Sequence, residues 1–149
     1  MARNVIVNSA SMPSIAMILL MLLAPVQKVL ETQVGAATFY SKSSQGDKTA
    51  SGLKFDNSKA AAAHRRFPFG TVVRVTNLDN GKSVNVTIVD RGPYGKNRRE
   101  GTIIDLSRAA ARQLDMIEDG QVRVRLDVLK WGDGDLPAAS PARPSAPSR

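Results

Sequence analysis

Apolar and polar residues alternate with a period of two over Thr71 to Thr76 and Ser83 to Val89, the signature of strands with one buried face. Ala37 to Tyr40 and Gln121 to Leu129 read the same way from alternation and β-branched content, and Thr102 to Leu106 is a further short strand. Asn77-Leu78-Asp79-Asn80-Gly81 joins two of these segments, and Asn-Gly tolerates the positive φ of a tight hairpin, so a β-hairpin is predicted there. Two short helices are predicted: Arg108 to Leu114 behind the N-cap hydroxyl of Ser107, and Lys59 to His64 behind Ser58, where four successive alanines favour helix. Strands dominate and glycines punctuate the connections, which suits a small barrel better than a doubly wound sheet.

The ends divide the chain. Arg3 precedes an apolar run from Ile15 to Ala24, about half of the roughly 20 residues that cross a bilayer. Residues 1–34 are therefore read as an export signal, or an uncleaved signal anchor tethering the protein to the membrane, with a short linker. Pro137 to Arg149 is rich in Pro, Ala and Ser and offers too little apolar surface to offset chain entropy, so 132–149 is read as a disordered tail. Residues 35–131 remain as one domain with one modest core. The chain has no cysteine, which excludes a lipobox, disulfides and thiolate metal sites.

Between Ala36 and Trp131 stand 17 Lys and Arg against 10 Asp and Glu, so +7 of the formal +8 belongs to the domain. Such a surface attracts polyanions. Export argues against nucleic acid, and the few aromatics form no stacking platform.

Candidate chemistry gathers on Asp56, His64 and Asp90. Asp90 closes an apolar strand before Arg91-Gly92-Pro93, where a rigid scaffold presents a side chain to solvent. A carboxylate beside an imidazole supports general acid and base work. Each residue also has a structural reading: His64 as the C-terminal cap of a helix, Asp56 as a turn carboxylate before Asn57-Ser58, Asp90 as a partner of Arg91 or of the Gly92 backbone, and Asp105 as a brace for the helix start. No ligand spacing for a metal and no Gly-x-Ser-x-Gly elbow occurs. Neither a metal nor another cofactor is expected.

Gly35-Ala36-Ala37-Thr38-Phe39-Tyr40, Thr49-Ala50-Ser51-Gly52-x-x-Phe55-Asp56, Ala62-Ala63-His64-Arg65-x-x-Pro68-Phe69-Gly70-Thr71, Val73-Arg74-Val75-Thr76-Asn77, Asp90-Arg91-Gly92-Pro93-Tyr94 and Ile104-Asp105-Leu106-Ser107 stand in one order along the chain. Together they resemble the rare lipoprotein A family over nearly the whole domain. The resemblance implies a six-stranded double-psi β-barrel and a lytic transglycosylase that cleaves peptidoglycan glycan strands between N-acetylmuramic acid and N-acetylglucosamine, preferring strands without stem peptides. It implies a periplasmic or secreted location, Asp90 as acid and base, His64 and Asp56 beside it in the groove, and Arg91, Tyr94, Thr49 and Lys54 as substrate-binding residues. The pattern breaks at Leu53, where family members commonly carry glutamate, and leucine can neither donate, accept nor carry charge. Two other functions share this frame: a glycan-binding or septal interaction module without turnover, and an expansin-like wall loosener, since expansins have the same barrel.

Overall fold

The computed structural model describes residues 25–136. The apolar run Ile15 to Ala24 and the tail Pro137 to Arg149 lie outside the described residues. Six strands, β1 (Glu31–Phe39), β2 (Ala61–His64), β3 (Val72–Asn77), β4 (Ser83–Asp90), β5 (Thr102–Leu106) and β6 (Val122–Lys130), are accompanied by α1 (Gly95–Arg99), α2 (Arg108–Gln113) and a 3-10 turn at Lys42–Ser44. They close into a barrel in the order β1-β5-β2-β4-β3-β6. β1 pairs with β5, and β2 with β4, in parallel. The other pairs are antiparallel. Closure leaves no open sheet edge.

The alternating residues do what their period predicts. Val73, Val75, Val84, Val86, Ile88, Ile104, Leu106, Val124, Leu126 and Val128 fill the barrel, and Leu114 and Met116 after α2 join them. The predicted hairpin forms: Asn77 donates its N–H to Lys82 O at 2.9 Å, Gly81 donates to Asn77 O at 2.8 Å, and Gly81 adopts φ 76°. Ser107 caps α2 by accepting from Ala110 N. β1 begins at Glu31, six residues before the alternation near Ala37 becomes legible, because Glu31 to Ala37 pair with β6 while their outer face stays wet.

The helix predicted over Lys59 to His64 does not form; Ala61–His64 is β2. Alanine's helix propensity is worth only tenths of a kcal/mol per residue, and tertiary pairing overrides it. β2 lies between β4 and β5, and Ala62 and Ala63 are fully buried. Small side chains are what this crowded position accepts. Ser58, expected as an N-cap, instead donates its hydroxyl to Asp56 at 2.6 Å.

His64, at the end of β2, is 3% exposed and stacks on Phe67 with ring centroids 3.7 Å apart. Its Nδ1 accepts from the backbone N–H of Arg66 at 3.1 Å and of Phe67 at 3.0 Å. Nε2 therefore carries the hydrogen and donates it to Gln33 Oε1 at 3.1 Å. Burial, then the positive charges of Arg65, Arg66 and Arg91, push its pKa down to about 4. The neutral ring thus ties the loop after β2 to β1. Because the folded pKa lies below the unfolded value of about 6.5, the unfolded chain takes up a proton that the folded chain refuses, and stability falls as pH drops through that window. Urea denaturation at pH 7 and pH 5 should show a loss of about 2 kcal/mol from this residue. The His64→Gln variant, less stable at pH 7, should show a correspondingly flatter dependence.

Candidate active site

Asp90 reaches its place through a break in register. In β4, Val84, Val86 and Ile88 point into the barrel, and unbroken alternation would turn Asp90 inward after them. Ala62 pairs with Ile88, however, while Ala63 pairs with Asp90, so Val89 is an extra residue on β4. Such a bulge re-aims the side chain that follows it. Asp90 lands opposite Ala63, which also pairs with Asp105, which in turn pairs with Thr38. One row of side chains, Thr38-Asp105-Ala63-Asp90, therefore crosses four strands on the outside of the barrel. Between the two carboxyl-bearing residues stands only the methyl group of Ala63, itself fully buried.

The Asp90 carboxylate accepts three hydrogen bonds. Tyr40 donates its hydroxyl to Oδ2 at 2.7 Å, while the backbone N–H groups of Ala50 and Arg91 both donate to Oδ1 at 2.8 Å. Burial, followed by the hydrogen bond to Asp90 and the charges of Asp90 and Asp105, holds the Tyr40 hydroxyl well above the ordinary phenol range. It remains a donor at any working pH. Tyr40 is fixed by its ring against Phe55, with centroids 4.1 Å apart.

Ala50 is aimed by its loop. Thr49 is buried, and both its N–H, at 2.9 Å, and its hydroxyl, at 2.8 Å, donate to Leu53 O. Gly52 closes this turn with φ 87°. Thr49, expected at the substrate, thus shapes the turn that delivers the Ala50 N–H.

Asp105 was expected to brace the start of α2, and it does not. Ser107 caps that helix, and Asp105 instead accepts a hydrogen bond from the Thr38 hydroxyl on β1. Burial raises its pKa above the usual carboxylate range, the Thr38 hydrogen bond works against that, and the Asp90 charge adds to it. Two carboxyl groups thus share the row, with Asp105 holding its proton to higher pH than an ordinary aspartate.

The other predicted residues spread around this pair. His64 follows Ala63 on β2, but its ring nitrogens are taken by Gln33, Arg66 and Phe67 rather than by Asp90. Its link to the site runs through its carbonyl, which accepts from Arg91 at 3.3 Å. Arg91 also donates to Phe67 O at 2.9 Å, and its Cζ lies 3.9 Å from the centroid of the Phe69 ring. Its guanidinium is thereby folded onto the barrel as a strut. Asp56 makes the turn that its sequence context suggested, with Oδ1 accepting from Ser58 N at 2.9 Å, and the Ser58 contacts hold its carboxyl below the usual range. Tyr94 follows the cis Gly92-Pro93 bond and is 60% exposed, and Lys54 is exposed on the loop that carries Ala50. Both are free to meet a ligand.

Sequence reasoning missed Tyr40, Thr38 and the Ala50 N–H, and gave Asp105 a different task. Asp105 was readable as an outward position between the inward Ile104 and Leu106. A backbone N–H carries no residue signal at all. Among the described residues no three His, Cys, Asp or Glu side chains converge as metal ligands. The site that exists can give and take protons: a carboxylate fixed by one hydroxyl and two N–H groups, beside a second carboxyl held by a threonine.

The barrel is shared with solved structures. It superimposes on the Streptomyces papain inhibitor with a TM-score of 0.53, at 23% identity over 68% of this chain and 97% of that one. The expansin of Clavibacter michiganensis gives a TM-score of 0.52, at 24% identity over 67% of this chain and 51% of that one. At such identities the likeness is one of fold alone.

Sequence relatives lie nearer. The probable endolytic peptidoglycan transglycosylase RlpA of Treponema pallidum is 54% identical over 92 residues, 62% of this chain and 28% of that protein. The endolytic peptidoglycan transglycosylase RlpA of Campylobacter jejuni is 42% identical over 105 residues, 70% of this chain and 37% of that protein. The chain thus spans well under half the length of these relatives. The family model described as lytic transglycolase matches residues 32–126, from the start of β1 into β6 and across every residue of the carboxylate row. By that match the chain belongs to the lytic transglycolase family.

Proposed function

We propose that this protein is an exported peptidoglycan lytic transglycosylase that cleaves the bond between N-acetylmuramic acid and N-acetylglucosamine, preferentially on peptide-free strands. The observation that carries this reading is the Asp90 carboxylate, held by Tyr40, Ala50 N and Arg91 N in one cross-strand row with Asp105. Family membership and the names of the relatives support the substrate class. The apolar run Ile15 to Ala24 supports export to the periplasm or beyond.

In the proposed reaction the acid form of Asp90 protonates the glycosidic oxygen as the bond from muramoyl C1 to that oxygen breaks. The resulting carboxylate then removes the proton from the muramoyl C6 hydroxyl, whose oxygen bonds to C1 and closes a 1,6-anhydro ring. The proton returns to the enzyme and no water is consumed. One carboxyl group serves both steps in turn, unlike the paired carboxylates of hydrolytic glycosidases. Asp105, whose pKa burial raises above the usual carboxylate range, is the second carboxyl group in the row beside Asp90. Tyr40 fixes Asp90 and stays a donor throughout. His64 and Arg91 act as positioning residues that hold the end of β4 against the loop after β2. Asp56, Tyr94 and Lys54 border the loop and the exposed rim where sugar rings would lie.

A second reading, a glycan-binding module without turnover, is favoured by Leu53 alone. Its backbone serves the Thr49 turn, but its side chain supplies no charge to the loop beside Asp90.

Digestion of peptide-free glycan, with product masses recorded, should yield anhydro-ended fragments from the wild type and none from Asp90→Asn. Equal product from Asp90→Asn would remove Asp90 from the mechanism. Tyr40→Phe removes one hydrogen bond to a charged group, worth about 1.5–3 kcal/mol, and should lower kcat by roughly one to two decades while KM changes little. Leu53→Glu should raise turnover by a similar factor. An inactive wild type that binds glycan and is switched on by Leu53→Glu would establish the module reading.

A further inference from the structure

Three positive side chains face one cavity that no acidic side chain lines. Lys42 in the 3-10 turn, and Arg108 and Arg112 on one face of α2, border a space of about 240 Å³ together with Gln45, Asn57 and Ser58. Among the described residues none of the three cations takes part in an ion pair. Arg108 Nε is buried without a hydrogen-bond partner, and its Cζ lies 5.3 Å from the centroid of the Phe39 ring. The protein itself leaves this charge unanswered.

The walls of the cavity are braced. Asn57, 8% exposed, donates its Nδ2 hydrogen to Ser41 O at 2.8 Å, accepts at Oδ1 from Arg108 N at 2.9 Å, and donates its own N–H to Gln45 Oε1 at 2.8 Å. One side chain thus joins the 3-10 turn, the Asp56 turn and α2. Asp56, next in sequence, is engaged elsewhere: Oδ1 accepts from Ser58, and Oδ2 lies 4.0 Å from Lys59 Nζ. A pre-formed basic cavity of this kind suits a small anionic group.

Its position relates it to Tyr40, the residue whose hydroxyl holds Asp90. Lys42 lies two residues beyond Tyr40, so their α-carbons are at most about 7 Å apart. Resting on the glycan reading of the Asp90 site, the geometry points to Lys42, Arg108 and Arg112 as a subsite for the lactyl carboxylate of a muramoyl residue next to the scissile bond. On a peptide-free strand that carboxylate is the anion each muramoyl residue carries. Where a stem peptide is attached, the same carbon is an amide without charge, with a chain extending from it into the space the cavity would have to close around. The cavity thereby distinguishes bare strands from peptide-bearing ones by charge and by size.

The test uses the full chain carrying Asp90→Asn, so that bound glycan is not consumed, and calorimetry at physiological salt. The probes are a GlcNAc–MurNAc tetrasaccharide with free lactyl carboxylates and the same tetrasaccharide with those carboxylates converted to primary amides. The free acid should bind about tenfold more tightly, the value of one good hydrogen-bonded charge contact. Adding Lys42→Gln and Arg112→Gln, both exposed side chains, should abolish that preference, whereas adding Arg123→Gln and Lys130→Gln on β6, which removes the same charge elsewhere, should preserve it. Equal binding of the two probes, or equal loss of preference in both double variants, overturns the subsite and leaves the glycan reading standing. Failure of both probes to bind overturns the two together.

Discussion

Ala63 pairs with a carboxylate-bearing residue on either side, Asp90 on β4 and Asp105 on β5, and the site depends on that double pairing. Strand side chains alternate between faces, so a one-residue change of register moves a side chain from core to surface. Val89 supplies that change. Without it, Asp90 would follow Val84, Val86 and Ile88 inward, and a carboxylate in that hydrophobic interior would be unpaired at a cost the fold could not carry. The same shift requires β2 to fit between two strands at a crowded point, which accounts for a run of alanines where a helix would otherwise be expected.

Around this row the chain supplies donors from distant segments. Tyr40 comes from the end of β1, Ala50 from a turn tied by Thr49 to Leu53 O, and Arg91 N from the residue after Asp90 itself. Arg91 then sends its guanidinium back to the carbonyls of His64 and Phe67. His64, neutral and buried, anchors that loop to β1 through Gln33. The histidine and the arginine therefore serve the carboxylate through backbone placement. A pairing of imidazole with Asp90, plausible from composition, is replaced by a tyrosine hydroxyl that holds its proton far more firmly.

Charge follows the same division between local and distant causes. The basic balance of the domain was legible from counts alone, but its consequence was not. Lys42 is far along the chain from Arg108 and Arg112, and the three border one cavity where Asn57 joins the 3-10 turn to α2. By contrast Arg74 and Arg125, equally unremarkable in sequence, are tied to Asp127 across the outer face of β3 and β6. Nothing in composition separates the paired cations from the unpaired ones.

The sequence by itself determined the elements whose cause is local. Alternation specified β3, β4, β5 and most of β6, Asn80-Gly81 the hairpin, Ser107 the start of α2, and Asp90 the carboxylate at a strand end. The family motifs extended this to the barrel. Only the tertiary structure decided that Ala61–His64 is a strand, that Asp105 faces Thr38 and Asp90 rather than α2, that Thr49 and Arg91 shape the backbone, and that Tyr40 and the Ala50 N–H hold the carboxylate. The reason is physical. Periodicity, propensity and turn chemistry act over a few residues, whereas register across a closed barrel and the reach of a backbone N–H are fixed by pairings between segments far apart in the chain.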